Sequence, residues 1–172
     1  FPTRRSSDLN PGALLPLLNE GQDTVTEIPS DRWEIEQYFD EDPDAPGKMY
    51  TRYGAFLDRV DKFAAQFFGI SPSDAAPLAP PPRLLLEVAW EALANAGPQP
   101  DRLNGEVGVF VALSNSDYGR LVLEQQDELE VYSTTGGNFS VASGRLSYFL
   151  GFHGPSFAVD SACSGSLVAV HL

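Results

Sequence analysis

The run Asp160-Ser161-Ala162-Cys163-Ser164-Gly165-Ser166-Leu167 sets the only cysteine of the chain in a collar of small residues. Free cysteine is ordinarily buried as a small hydrophobe, and a cysteine packed that way needs no such collar. A thiolate approached by a substrate does need one, so Ala162, Ser164, Gly165 and Ser166 favour a reactive Cys163. The preceding Ser156-Phe157-Ala158-Val159 reads as a buried strand, and the following Leu167-Val168-Ala169-Val170-His171-Leu172 reads as a helix. Cys163 is thereby expected at the turn between them, where its sulfur is exposed. The positive end of the helix and its unsatisfied N–H groups would stabilise a thiolate there.

A cysteine nucleophile commonly works with histidine, and this chain has two. His171 follows Cys163 by eight residues, which on one helix is about 12 Å of rise. His153 precedes it by ten residues, across a loop and an extended strand at roughly 3.3 Å per residue. Both are read as surface or structural residues. Either Cys163 acts without histidine, or its partners belong to chain that is not present. The sequence stops at Leu172 inside an apolar helix it has just begun, which favours the second reading and an incomplete domain. Ser161, Ser164 and Ser166 admit a serine-based elbow but are better read as caps or hydrogen-bond donors.

Other chemistries find less support. No glycine-rich spacing suited to a nucleotide phosphate occurs, and no Cys/His cluster suits zinc, so neither cofactor-binding nor metal residues are assigned. Asn138-Phe139-Ser140 matches a glycosylation acceptor, which would stay unmodified in a cytoplasmic chain. The cytoplasm is expected because one cysteine forms no internal disulfide and no signal peptide is evident. No apolar run is long enough to span a bilayer, so no membrane partner is expected.

The 172 residues, 42% of them hydrophobic, suffice for a core of ordinary domain size. The formal net charge is −13, and 12 of the 24 acidic residues lie between Glu20 and Asp61. A surface of that sign argues against nucleic acid, and the acidic stretch reads as a solvated face.

The elements that position Cys163 follow from pattern and punctuation. Residues 1–9 show no period and are basic in an acidic chain, an unmatched N-terminal segment. Leu14, Leu15, Leu17 and Leu18 suggest a short helix ending at Gly21 despite Pro16, and residues 23–52 an ordered surface excursion. Asp61 is placed to cap a short helix with Phe63 and Phe67 on one face and Gly69 at its end. Ser71-Pro72-Ser73-Asp74 resembles a capping box opening a brief helix. A longer helix is expected from Arg83 to Ala96, with Leu85, Ala89 and Leu93 on one stripe, Leu84 and Val88 beside it, and Gly97-Pro98 as the stop. Val107 to Leu113 is apolar on both faces, as a strand central to a covered sheet would be. Asp117 to Leu129 reads as an exposed helix and Gly136-Gly137 as a break. Ser143 to Leu150 reads as a helix with Leu146, Phe149 and Leu150 inward and Gly151 at its end. Strand, helices, strand and helix in that order favour an α/β fold.

The motif around Cys163 resembles the active-site motif of β-ketoacyl synthases, the condensing enzymes of fatty-acid and polyketide assembly. Four further blocks agree in the family's order: Pro29-Ser30-Asp31-Arg32-Trp33, Phe67-Phe68-Gly69-Ile70-Ser71-Pro72, Arg83 to Leu93, and Ser143 to Gly151. The resemblance covers residues 10–172 and is closest to ketosynthase domains of modular polyketide synthases. It implies a thiolase-like layered α/β fold, of which this chain is an incomplete first half, and a homodimer in the complete domain. It also implies that Cys163 takes an acyl group from a thioester carried on the phosphopantetheine of acyl carrier protein, with no cofactor bound directly. A malonyl-type extender then loses carbon dioxide, and its carbanion attacks the acyl group. The backbone N–H of Cys163 is implied as an oxyanion donor.

The family's two catalytic histidines and their lysine belong to the second half, and no position here matches them. The chain alone is therefore expected to accept an acyl group without completing condensation. Ala79-Pro80-Pro81-Pro82 departs from the family pattern at a helix start, Gly165 stands where serine is common, and the family's first strand is missing. A missing inner strand would expose an edge and promote association. Two alternatives remain: a silent ketosynthase-like domain that only binds carrier protein, and a cysteine hydrolase.

Overall fold

A computed structural model describes residues 11–57, 59–97, 106–115, 117–125 and 138–172. The expectations for residues 1–9, Pro98, 126–129 and Gly136-Gly137 lie outside them. The chain divides into two compact units, Phe1–Val60 and Asp61–Leu172.

In the first unit, helix α1 (Pro11–Glu20) carries Pro16 inside it and ends, as expected, at Gly21, whose φ is 59°. The N–H of Gln22 closes the end on the Leu17 carbonyl at 3.1 Å. Strands β1 (Val25–Glu27) and β2 (Tyr53–Ala55) pair antiparallel. The excursion between them holds little regular structure beyond a 3-10 turn at Ile35–Gln37.

Arg52 organises this excursion. Its Nε donates to Glu27 at 2.7 Å, its Nη2 to Glu36 at 2.6 Å, and its guanidinium lies 5.0 Å from the Phe39 ring centre. The hydrogen bonds it donates to Glu36 and Glu27 hold the guanidinium pKa above its ordinary value. In the acidic loop, Asp40 accepts the N–H of Asp42 and Asp42 that of Asp44, each at 3.0 Å. These carboxylates close their own turns while Glu41, Asp42 and Asp44 face solvent.

The second unit holds the main core of Phe68, Ile70, Leu78, Leu86, Val109, Val111, Leu146, Leu150 and Phe152. Residues 61–70 do not form the expected helix. They make a succession of turns in which Phe67, Phe68 and Gly69 donate three residues back, to Ala64, Ala65 and Gln66. So short a segment gains little from helix nucleation, and ring packing fixes it instead. Phe63 stacks on Phe68 at 5.4 Å, while Phe67 meets Trp90 edge-on at 5.1 Å. Gly69 still ends the segment, with φ 65°.

Helix α2 (Pro72–Ala75) is capped as its sequence suggests, the Ser71 hydroxyl accepting the N–H of Asp74 at 3.1 Å. Helix α3 (Pro80–Ala96) begins three residues before Arg83, because the first turn leaves its N–H groups unpaired and so tolerates Pro80, Pro81 and Pro82. It ends at left-handed Gly97, φ 89°. Its buried face centres on Pro82, Leu86 and Glu87 rather than on Leu85, Ala89 and Leu93, which are only partly buried, and Val88 is exposed. Three consecutive leucines satisfy several helical faces equally, and packing chose the one through Leu86. Arg83 then ties the α2–α3 linker down, its Nε donating to the Leu78 carbonyl at 2.6 Å and its Nη2 to that of Ala76 at 3.1 Å.

Strand β3 (Val109–Ala112) alternates buried and half-buried residues, apolar on both faces as expected. It is followed by helix α4 (Asp117–Gln125), whose Tyr118 hydroxyl donates to the Ala76 carbonyl at 2.9 Å. Helix α5 (Phe139–Leu150) starts four residues before Ser143 and ends at left-handed Gly151, φ 67°. It buries Ala142, Ser143, Leu146, Ser147 and Leu150, while Phe149 joins the aromatic cluster 4.8 Å from Phe68.

Strand β4 (Ser156–Val159) runs parallel to β3 in the register Val109↔Ser156 to Ala112↔Val159. Parallel strands require a crossover, which α4 and α5 provide. The Ser147 hydroxyl donates to that of Ser156 at 3.0 Å, fastening α5 to the start of β4. Two expectations for this sheet are corrected. Among the described residues β3 pairs with β4 alone and is not central, and β4 is not buried: Ser156 and Phe157 are exposed, Ala158 and Val159 half-buried. The far edge of β4 has no strand partner among the described residues, so its apolar composition does not translate into burial. The chain then makes a 3-10 turn at Ala162–Ser164 and enters helix α6 (Gly165–His171). Among the described residues no helix is long and apolar enough to cross a membrane.

Candidate active site

Cys163 stands where the sequence placed it, exposed in the turn between β4 and α6, as a free thiol. The turn is sharp because Ala162 has φ 49°, the one non-glycine residue with positive φ among the described residues. An L-residue in that conformation costs on the order of 1–2 kcal/mol, so the surroundings must hold it.

Two side chains bracket the bend. Asp160 accepts the N–H of Ala162 on Oδ1 at 3.0 Å. The Ser164 hydroxyl reaches the Ser161 carbonyl at 2.8 Å and lies 3.2 Å from the Ser161 hydroxyl. Ser164 is thus a hydrogen-bond donor, as expected, whereas the Ser161 hydroxyl accepts, and neither side chain caps a helix. The N–H of Ser164 goes to the Ser161 carbonyl at 3.3 Å, and that of Gly165 to the Ala162 carbonyl.

Beyond the turn, Gly165 is buried against β3. A Cβ built there would stand 3.0 Å from that of Ala112, so the absence of a side chain lets α6 settle on the strand. At the carboxyl ends of both parallel strands a cavity of about 120 Å³ opens, lined by residues that include Ala112, Ser114, Asp160, Ser161, Gly165 and Ser166. Ligands of open α/β sheets ordinarily bind at such ends. Cys163 borders this cavity through Ala162 and is not part of its lining.

The histidines stay away from the thiol. His153 is exposed just before β4, whereas Cys163 follows its far end. His171 is exposed in the last turn of α6. Among the described residues no group of three or more His, Cys, Asp and Glu is placed to hold a metal ion.

Two contributions were not assigned from sequence, the clasp from Asp160 and the seat on Ala112. The first had a signal, since an aspartate at a strand end two residues before a required bend suits an Asx turn. The second had none, because Ala112 lies some fifty residues upstream and reaches Gly165 only through the fold.

Comparison with known proteins bears on the same region. Residues 3–172 match the family described as "Beta-ketoacyl synthase, N-terminal domain". The chain is 47% identical over 163 residues to a phenolphthiocerol/phthiocerol polyketide synthase of Mycobacterium tuberculosis, covering 94% of this chain and 9% of that protein. It is 48% identical over 165 residues to polyketide synthase GfsA of Streptomyces halstedii, covering 95% of this chain and 2% of that protein. Among solved structures, the oxazolomycin ketosynthase domain OzmH KS7 of Streptomyces albus superposes with a TM-score of 0.83 at 34% identity, over 93% of this chain and 28% of that one. The ketosynthase from module 6 of the bacillaene synthase of Bacillus subtilis gives 0.78 at 28% identity, over 93% and 25%. The chain thus spans less than a tenth of these polyketide synthases and about a quarter of each ketosynthase structure.

Proposed function

The chain belongs to the β-ketoacyl synthase family, and from that membership we propose that it forms, from about residue 10 onward, the amino-terminal part of a polyketide synthase ketosynthase domain with Cys163 as nucleophile. The observation that carries this reading is the exposed thiol of Cys163 on a bend held at Ala162, at the carboxyl end of a parallel strand. The mixed helix-and-sheet arrangement supports a thiolase-like layered domain of which this chain supplies most of the first half.

In this reading the Cys163 thiolate attacks the carbonyl carbon of an acyl thioester presented on the phosphopantetheine of acyl carrier protein. The bond to the pantetheine sulfur breaks, that sulfur departs as a thiolate and takes up the proton that Cys163 released, and the acyl group remains on Sγ. A malonyl-type extender then loses carbon dioxide, its carbanion forms the new carbon–carbon bond, and Cys163 leaves as thiolate. The oxyanion of each tetrahedral intermediate needs preorganised donors. The resemblance to ketosynthases implies the backbone N–H of Cys163 as one of these donors. Proton handling by histidines belongs to the second half of the domain, and the complete domain is a homodimer.

The test uses the full-length enzyme that contains this chain. Exposure to an acyl thioester, followed by peptide mass analysis, is expected to show one acyl group on Cys163 that is absent in Cys163→Ala. The adduct should persist in water and disappear with a carbon–carbon bonded product when a malonyl thioester on carrier protein is added. Absence of the adduct would sink the nucleophile, and rapid release without extender would indicate a hydrolase.

A further inference from the structure

We infer that Asp160 is a positioning residue for Cys163, its carboxylate holding the left-handed backbone at Ala162 so that the sulfur stands clear of the strand end. This rests on the reading of Cys163 as nucleophile.

Ala162 has the only positive φ of a non-glycine residue among those described, and it immediately precedes Cys163. Relaxed to an ordinary φ, it would redirect the chain that follows and carry Sγ with it. The Asp160 carboxylate meets this strain directly by accepting the N–H of Ala162 at 3.0 Å. The same contact, Asp to the N–H two residues on, occurs at Asp40 and Asp42, where the residues reached have no positive φ. Such a contact therefore does not bend a chain by itself. At Asp160 it acts where the chain must leave β4 and enter α6 within five residues.

The far side of the bend is fixed independently. Ser164 clasps the Ser161 carbonyl, and Gly165 lies against Ala112. Within the turn the N–H groups of Ser164 and Gly165 close on the Ser161 and Ala162 carbonyls, and the Asp160 contact is the side-chain restraint that acts on the N–H of Ala162 itself. Oδ1 needs only to accept a hydrogen bond for this, so the role belongs to its oxygen and not to its charge.

The experiment compares Asp160→Asn, Asp160→Ala, Ala162→Gly and the double variant Asp160→Ala/Ala162→Gly in the full-length enzyme. Three quantities are read: the rate of Cys163 alkylation by iodoacetamide, kcat and KM for acylation from an acyl thioester, and the melting temperature. Loss of one hydrogen bond predicts that Asp160→Ala slows alkylation and lowers kcat by about 3- to 10-fold with KM little changed. Asp160→Asn, which keeps the acceptor, should stay within about 2-fold of the parent. Glycine adopts positive φ without penalty, so Ala162→Gly should recover most of the loss in the Asp160→Ala background.

Unchanged rates in Asp160→Ala would overturn the proposal. So would Asp160→Asn as slow as Asp160→Ala, or no recovery in the double variant. Alkylation reports the geometry of Cys163 whether or not it is acylated. A parent enzyme that fails to acylate but keeps this order of alkylation rates would therefore refute the nucleophile and leave the positioning role standing.

Discussion

Gly165 and Ala112 meet so closely that a Cβ on the first would stand 3.0 Å from the Cβ of the second. They are a size-matched pair across the junction of α6 and β3. Gly165→Ser should destabilise the domain by about 1–3 kcal/mol through overpacking. Ala112→Gly in the same molecule should return most of that loss, since contacting residues couple. Thermal or urea unfolding of the single and double variants measures the coupling, and additive effects would refute the pairing.

Cys163 should be dispensable for stability although essential for acyl transfer. Its side chain is exposed, so Cys163→Ala is expected to change unfolding free energy by no more than about 0.5 kcal/mol while abolishing the acyl adduct. Calorimetry beside peptide mass analysis separates the two. A large loss of stability would mean that the thiol packs against something.

Neighbouring positions of α3 should respond very differently to truncation. Leu86 is 2% exposed, and Leu86→Ala should cost about 2–5 kcal/mol. Val88 is 42% exposed, and Val88→Ala should cost less than about 1 kcal/mol. Denaturant midpoints in the complete ketosynthase domain decide this, and comparable costs would place the buried face elsewhere.

At the end of α5, Gly151 takes φ 67°, where a side chain is strained. Gly151→Ala is expected to destabilise by about 1 kcal/mol, and Gly151→Asn by less, because asparagine tolerates the left-handed region. Melting temperatures should fall in that order, and equal values would argue against the cap.

What could be read in the sequence was what is local. Ser71 with Asp74, the stops at Gly97 and Gly151, and Cys163 between strand and helix each depend on a few adjacent residues, and each stands as expected. Helix starts were less visible. Pro80 to Pro82 look like breakers yet fit a first turn, and α5 opens at Phe139, four residues before its apolar period becomes clear. Burial was hardest to foresee, since it depends on neighbours distant in the chain. Phe157 belongs to an apolar run but is 55% exposed beside Phe110, and the leucines before Leu86 looked equally eligible for the core. In the candidate site the exposed turn that carries Cys163 was legible, whereas its supports at Asp160 and Ala112 emerge only from backbone geometry and tertiary contact.

The parallel register that brings Ala112 beside Val159 also sets an order of events in folding. These residues are about 47 positions apart, and closing a loop of that length costs on the order of 3 kcal/mol in chain entropy before any contact across it is gained. Until the loop closes, Gly165 has no strand to rest on, and the bend at Ala162 has only its local hydrogen bonds to oppose its strain. The cysteine turn thus matures after the crossover has formed. The geometry that presents the Cys163 side chain at the strand end is expected to appear only once the surrounding sheet is in place.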